Sequence, residues 1–172
     1  SPHFSSVPAF ASVTKSVERL NSPDRVVDTM RRAFARLRMG RPGPVMVEMP
    51  SDIAIEDADE ALLESYRPVR ASVSEADPRD VLEAARALLA ARNPIIIAGQ
   101  GVLYANASGE LVRLAELLNV PVMTTLAGKS AFPEHHPLAL GCGGSSVITG
   151  PIGRLLPRAD LVFGIGIKDG DY

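Results

Sequence analysis

The sequence predicts an α/β protein built on a parallel sheet with flanking helices, and three stretches carry that prediction. Asn93-Pro94-Ile95-Ile96-Ile97-Ala98-Gly99-Gln100-Gly101 runs from β-branched residues straight into glycines, the pattern of a buried strand ending in a tight turn. Val120-Pro121-Val122-Met123-Thr124-Thr125 is a second such run, and a helical face of Leu111, Leu114, Ala115 and Leu118 lies between the two. Asp160-Leu161-Val162-Phe163-Gly164-Ile165-Gly166-Ile167 is the third, and it again ends in glycine. Strand, glycine turn, helix, strand is a βαβ unit, which implies parallel pairing. Ligands of such sheets bind at the carboxyl ends of the strands, where these glycines sit.

Composition bounds the class. Hydrophobic residues make up 46% of 172, enough for a sizeable core and against disorder. A formal net charge of -2 gives no general attraction for nucleic acid or an anionic membrane, so neither is expected as a partner. One cysteine excludes an internal disulfide, and three histidines offer no metal-ligand set. No apolar run approaches the roughly 18 residues of a membrane span and no signal-peptide pattern is present, so a cytoplasmic protein is expected.

In chain order, residues 1–20 show prolines and small polar residues without a sustained period, which reads as loop with a short strand near Val13. Ser22-Pro23-Asp24 then starts a helix: serine at the N-cap, proline at the first position and an acid in the first turn. Val26, Val27, Met30, Phe34 and Leu37 form its apolar face. Arg31, Arg32, Arg36 and Arg38 lie opposite and read as a solvated face rather than a nucleic-acid patch. Gly40 is a natural helix stop, Gly40-Arg41-Pro42-Gly43-Pro44 a turn, and Val45 to Met49 a strand closed by Pro50.

Residues 51–64 carry Asp52, Glu56, Asp57, Asp59, Glu60 and Glu64 with no base. They lack the alternating oxygen pattern and central glycine of a calcium loop, so a solvated linker is expected. The organisation predicted is therefore a domain tail over 1–50, a linker over 51–76 and a second domain over 77–172. One helix and one strand cannot bury their own apolar faces, so the chain is expected to be a piece of a longer protein. Asp77-Pro78 opens a helix with Val81, Leu82, Ala85, Leu88 and Leu89 as its buried face. A long loop over 126–137, a segment from Leu138 to Gly144 and a short helix near Gly150 to Leu156 fill the remainder.

Candidate binding residues cluster after the strands: Gly99, Gln100 and Gly101; Thr124, Thr125, Gly128 and Lys129; Gly141, Cys142 and Gly143; Gly164 and Gly166. A pyrophosphate needs backbone N–H donors that it can approach closely, which glycine permits. Two readings stand: these glycines hold a nucleotide, or they serve turn geometry alone. The first turn is not a dinucleotide fingerprint, because Tyr104 occupies the third glycine position. Gly128-Lys129-Ser130 is not a phosphate loop either, since Met123 stands where its first glycine belongs. His135 and His136 beside Glu134 lack a third partner for a metal or for acid–base work, and nothing near Cys142 marks it as a nucleophile. No catalytic residue and no metal ligand is assigned.

Five ordered blocks resemble a known family. Residues 40–53 (Gly-Arg-Pro-Gly-Pro-Val-Met-Val-Glu-Met-Pro-Ser-Asp-Ile), 93–101, 114–125, 128–138 and 159–166 are similar, in order and spacing, to thiamine diphosphate-dependent enzymes of the acetolactate synthase and pyruvate oxidase group. The resemblance implies that 1–50 is the end of a pyrimidine-binding domain and 77–172 most of a Rossmann-like central domain. It implies a parent carboligase or decarboxylase, a transferase or lyase acting on 2-keto acids, with thiamine diphosphate and Mg2+ held outside these residues. The piece alone is expected to be inactive, and the parent a homodimer or homotetramer. The central domain would hold FAD or ADP at the candidate residues above, or serve as a non-catalytic assembly module with an empty site. Flavin-binding synthases tend to have Gly-Met-His-Gly-Thr where this chain has Gly141-Cys142-Gly143-Gly144-Ser145, and an arginine-bearing segment where it has Ile167-Lys168-Asp169-Gly170.

Overall fold

The computed structural model describes residues 6–70, 74–143 and 150–168. The chain forms two compact units, residues 1–75 and 76–172.

In the first unit, α1 (Ser6–Ala11) leads into β1 (Ser16–Arg19), α2 (Val26–Arg38) and β2 (Val45–Glu48), followed by α3 (Ser51–Ala54) and α4 (Glu60–Glu64). β1 and β2 pair in parallel, Ser16 opposite Val45 and Arg19 opposite Glu48, so α2 is the crossover of a βαβ unit. Val27 and Ala33 of α2 are buried with Leu20, whereas Leu37 is exposed. Several local expectations are corrected here. The strand lies at 16–19, not at Val13, and a helix precedes it. The helix begins as a short 3-10 turn over Pro23–Arg25, and the Ser22 hydroxyl makes no capping bond. The acidic stretch holds two short helices, the second capped by Asp59, whose carboxylate accepts the Ala61 amide.

The second unit opens with α5 (Pro78–Ala90), where the cap reads as expected: Asp77 accepts the Arg79 amide at 2.8 Å and proline takes the first position. Then come β3 (Pro94–Ala98), α6 (Gln100–Tyr104), α7 (Ser108–Leu118), β4 (Val122–Thr124), β5 (Ala139–Cys142), α8 (Pro151–Leu155) and β6 (Leu161–Ile165). All four strands are parallel in the order β5-β4-β3-β6. The chain steps outward from β3 to β4 to β5, then returns to the other side of β3. That reversal makes the carboxyl ends of β3 and β6 a topological switch point.

β3 is covered on both faces, as its unbroken apolar run requires. Ile96 and Ala98 pack with Val102, Leu111, Ala115, Val122 and Phe132 on one side; Ile97 packs with Met123 and Ile152 on the other. Two features depart from expectation. The single helix expected between β3 and β4 is two, separated by Ala105–Ala107 with Asn106 at φ 53°. Of the apolar face assigned to α5 only Leu88 is buried, while Val81, Leu82 and Leu89 are 54%, 50% and 72% exposed.

Asp160 closes the amino end of the sheet. Its two carboxylate oxygens accept the Arg92 and Asn93 amides at 2.7 and 2.8 Å, tying the entry of β3 to that of β6. These bonds, that from Arg92 first, hold its carboxyl below the usual carboxylate range. A depressed folded value stabilises above the unfolded carboxylate range and loses that effect as pH falls through the folded value. Asp160→Asn is therefore expected to lower the urea midpoint of the second unit at pH 7. The gap from wild type should shrink as pH drops through the acidic range; a constant gap would remove the linkage.

Candidate functional site

Four neighbouring strand ends carry all of the candidate residues except Gly164, and the structure sorts them into groups with different surroundings. At the switch point the backbone of Gly166 lies directly against that of Gly99 and Gly101. The Gly99 amide donates to the Ile165 carbonyl at 2.8 Å and the Gly101 amide to the Gly166 carbonyl at 2.9 Å. A methyl group on Gly99 would stand 2.3 Å from the Gly166 oxygen, and one on Gly101 2.7 Å from the Gly166 Cα. Gly166 itself has φ +62°, a conformation that side chains resist. These glycines are required by close backbone approach, and two turn amides are already bonded within the fold. Gln100 begins α6 between them.

The β4 end forms the second group. Thr124 and Thr125 are 5% and 1% exposed. Thr125 donates its amide to the Ala98 carbonyl at 2.9 Å, and its hydroxyl accepts the Gly128 amide at 3.1 Å. Gly128 is pressed onto β3: a methyl there would lie 2.5 Å from the Ala98 oxygen and 2.7 Å from the Gly99 carbonyl carbon. Lys129 projects from this turn to solvent and pairs with Glu134 at 3.5 Å. Ala131 and Phe132, both in the core, hold the loop that carries it.

The β5 end is the third group. Cys142 is half-buried and its thiol donates to the Thr125 carbonyl at 3.4 Å, while the Gly143 amide donates to Thr124 at 2.9 Å. Pairing skips between Val122 and Met123, which face Ala139 and Gly141, so Leu140 is an extra residue in β5 and Gly141 takes φ +88°. Gly164 does not belong to any strand end: it lies inside β6 opposite Ile97. The departures noted at 144–145 and 169–170 fall outside the described residues.

His136 is tied into the scaffold. Its Nδ1 accepts the Leu138 amide at 3.2 Å, which leaves Nε2–H to donate to Glu116 at 3.2 Å, and its ring meets Phe132 edge-on at 4.9 Å. His135 is exposed. Among the described residues no three His, Cys, Asp or Glu side chains come together as metal ligands. No described helix is long and apolar enough to cross a membrane. Sequence reasoning missed the Thr125 hydroxyl as the anchor of the Gly128 turn; a threonine three residues before a glycine after a strand was the available signal.

Known proteins resemble this chain in both sequence and fold. A probable acetolactate synthase large subunit of Methanocaldococcus jannaschii is 36% identical over 170 residues, covering 94% of this chain and 28% of the relative. The glyoxylate carboligase of Escherichia coli O157:H7 is 34% identical over 154 residues, 90% of this chain and 26% of its own length. The chain thus spans little more than a quarter of these relatives. The structure of a putative thiamin diphosphate-dependent enzyme from Mycobacterium smegmatis superposes with a TM-score of 0.77 at 25% identity, covering 99% of this chain and 32% of that one. The model of the thiamine pyrophosphate enzyme central domain matches residues 81–172, and the chain belongs to that family.

Proposed function

We propose that this chain is part of an acetolactate synthase-like carboligase or decarboxylase acting on 2-keto acids. In this reading residues 77–172 are a central domain that holds FAD or ADP across the carboxyl ends of β3, β4 and β6. The observation that carries it is the switch point between β3 and β6, where a parallel sheet of this order accepts a ligand. In this reading Lys129 offers a cation to a diphosphate, and Gln100, at the start of α6, offers a polar side chain. Thiamine diphosphate supplies the carbanion chemistry of such enzymes when bound. The described residues bring together no ligand set for its magnesium ion, so no step of the reaction is derived from them.

A second reading is an assembly module with an empty nucleotide site, and one observation favours it. The Gly99 and Gly101 amides, which a pyrophosphate would use, are spent on Ile165 and Gly166.

Calorimetric titration with FAD and with ADP separates the two. Micromolar binding that weakens about tenfold in Gln100→Ala or Lys129→Gln, the loss of one contact to a charged group, supports the nucleotide site. Absence of heat with both ligands favours the module. Gly101 is a poor probe here, because any side chain there displaces the Gly166 backbone.

A further inference from the structure

A groove of about 520 Å3 in the first unit is lined by Lys15, Arg32, Ala35, Arg36 and Met39, and contains none of the strand-end residues. Its charge is not explained by the needs of the fold. The carboxyl end of a helix carries partial negative charge, and basic side chains there usually answer it. At α2 that need is met by Lys15, whose Nζ donates to the Met39 and Arg41 carbonyls at 2.5 and 2.8 Å. Arg32 and Arg36 have one carboxylate between them. Arg32 Nε and an Nη donate to the same Glu18 oxygen at 3.3 Å, and Arg36 Nε stands 3.8 Å from the other. Among the described residues the Arg36 guanidinium makes no hydrogen bond. With Lys15 given to the helix end, Arg32 and Arg36 stand against the single carboxylate of Glu18, an excess of positive charge around an apolar floor of Ala35 and Met39, the latter 60% exposed.

We propose that this groove binds a small phosphate-bearing organic dianion, its phosphate on Arg32 and Arg36 and its apolar part on Met39. The guanidinium fork matches phosphate oxygens in pairs, and the excess positive charge favours an anion. The volume lies within the range of small-molecule sites. Lys15, by covering the helix end, removes the field that would repel the ligand.

Calorimetric titration of the chain with phenyl phosphate, and separately with inorganic phosphate, tests this. Phenyl phosphate is expected to bind, more tightly than inorganic phosphate, and more weakly as ionic strength rises. Arg36→Gln is expected to weaken it about tenfold, the loss of a charge-assisted contact. Glu18→Gln, which removes the competing carboxylate, is expected to tighten it about threefold; a purely structural role for Glu18 gives no gain. Arg113→Gln, at an exposed cation of the second unit outside both sites, leaves it unchanged, so the result is specific to the groove. Failure of the wild-type chain to bind phenyl phosphate overturns the proposal. So does affinity that both Arg36→Gln and Glu18→Gln leave within about twofold, which is inside the scatter of exposed charge effects.

Discussion

Gly166→Ala is expected to destabilise the second unit by about 3 kcal/mol, combining left-handed strain with overpacking. The residue holds φ +62°, and its new methyl would lie 2.7 Å from the Val102 amide nitrogen and 2.8 Å from the Gly101 Cα. The nearest atoms are all backbone of Gly101 and Val102, so no side chain can swing away. Gly141→Ala is the matched control: φ there is +88°, but nothing lies within 4 Å of the added methyl. It carries the strain term alone, about 1–2 kcal/mol. Hydrogen exchange of the β3 amides reads the second unit without assuming that both units unfold together. Equal losses in the two variants would mean that the β3–β6 junction yields, contrary to the geometry.

Phe132→Ala is expected to cost the same unit about 3–5 kcal/mol, the range for emptying a buried aromatic site. Phe132 is 2% exposed although it sits in a loop without regular structure, and it joins Ile96, Val102 and Leu111 in one cluster. Its ring also supports His136, which in turn bonds the Leu138 amide at the foot of β5. Beyond Thr125 the loop's backbone bonds are local turns, such as Ala131 to Gly128 at 2.9 Å, so Phe132 fastens it to the core and losing the ring should loosen the Thr125–Gly128 turn as well. Leu126→Ala in the same loop is expected to change stability by less than about 0.5 kcal/mol, since that side chain is 70% exposed. A Phe132→Ala loss below about 1 kcal/mol would show that the core closes over the gap.

Much of this architecture was legible before any coordinates. The run Ile95–Ile97 followed by Gly99 and Gly101 admits little but a buried strand and a tight turn, and Asp77-Pro78 specifies a helix start through chemistry local to four residues. β5 was not legible as a strand, because Ala139-Leu140-Gly141-Cys142 has no β-branched residue and no alternation, and its pairing skips Leu140. The buried side of α5 was misjudged because Val81, Leu82 and Leu89 satisfy helical spacing as well as Leu88 does. Periodicity names an apolar face but not what covers it. At the candidate site, sequence singled out the glycines and their positions after the strands. It carried no sign that Gly166 would press on Gly99 and Gly101, because that requirement joins positions far apart in the chain. Nor did the arginine pattern on α2 show that Lys15 would meet Arg32 and Arg36 from another element.

The central place of β3 also sets a timetable for assembly. Its partner on one side, β4, follows after one short crossover, whereas the residues that complete its other side, Leu161–Ile165, are made roughly sixty residues later. A growing chain can close the first pairing early but must leave the second edge of the Ile95–Ile97 run open until β6 emerges. During that interval the strand is an unpaired apolar edge, the feature most prone to mispairing between chains. Slow synthesis across the segment between β5 and β6 would lengthen that exposure, and fast synthesis would shorten it.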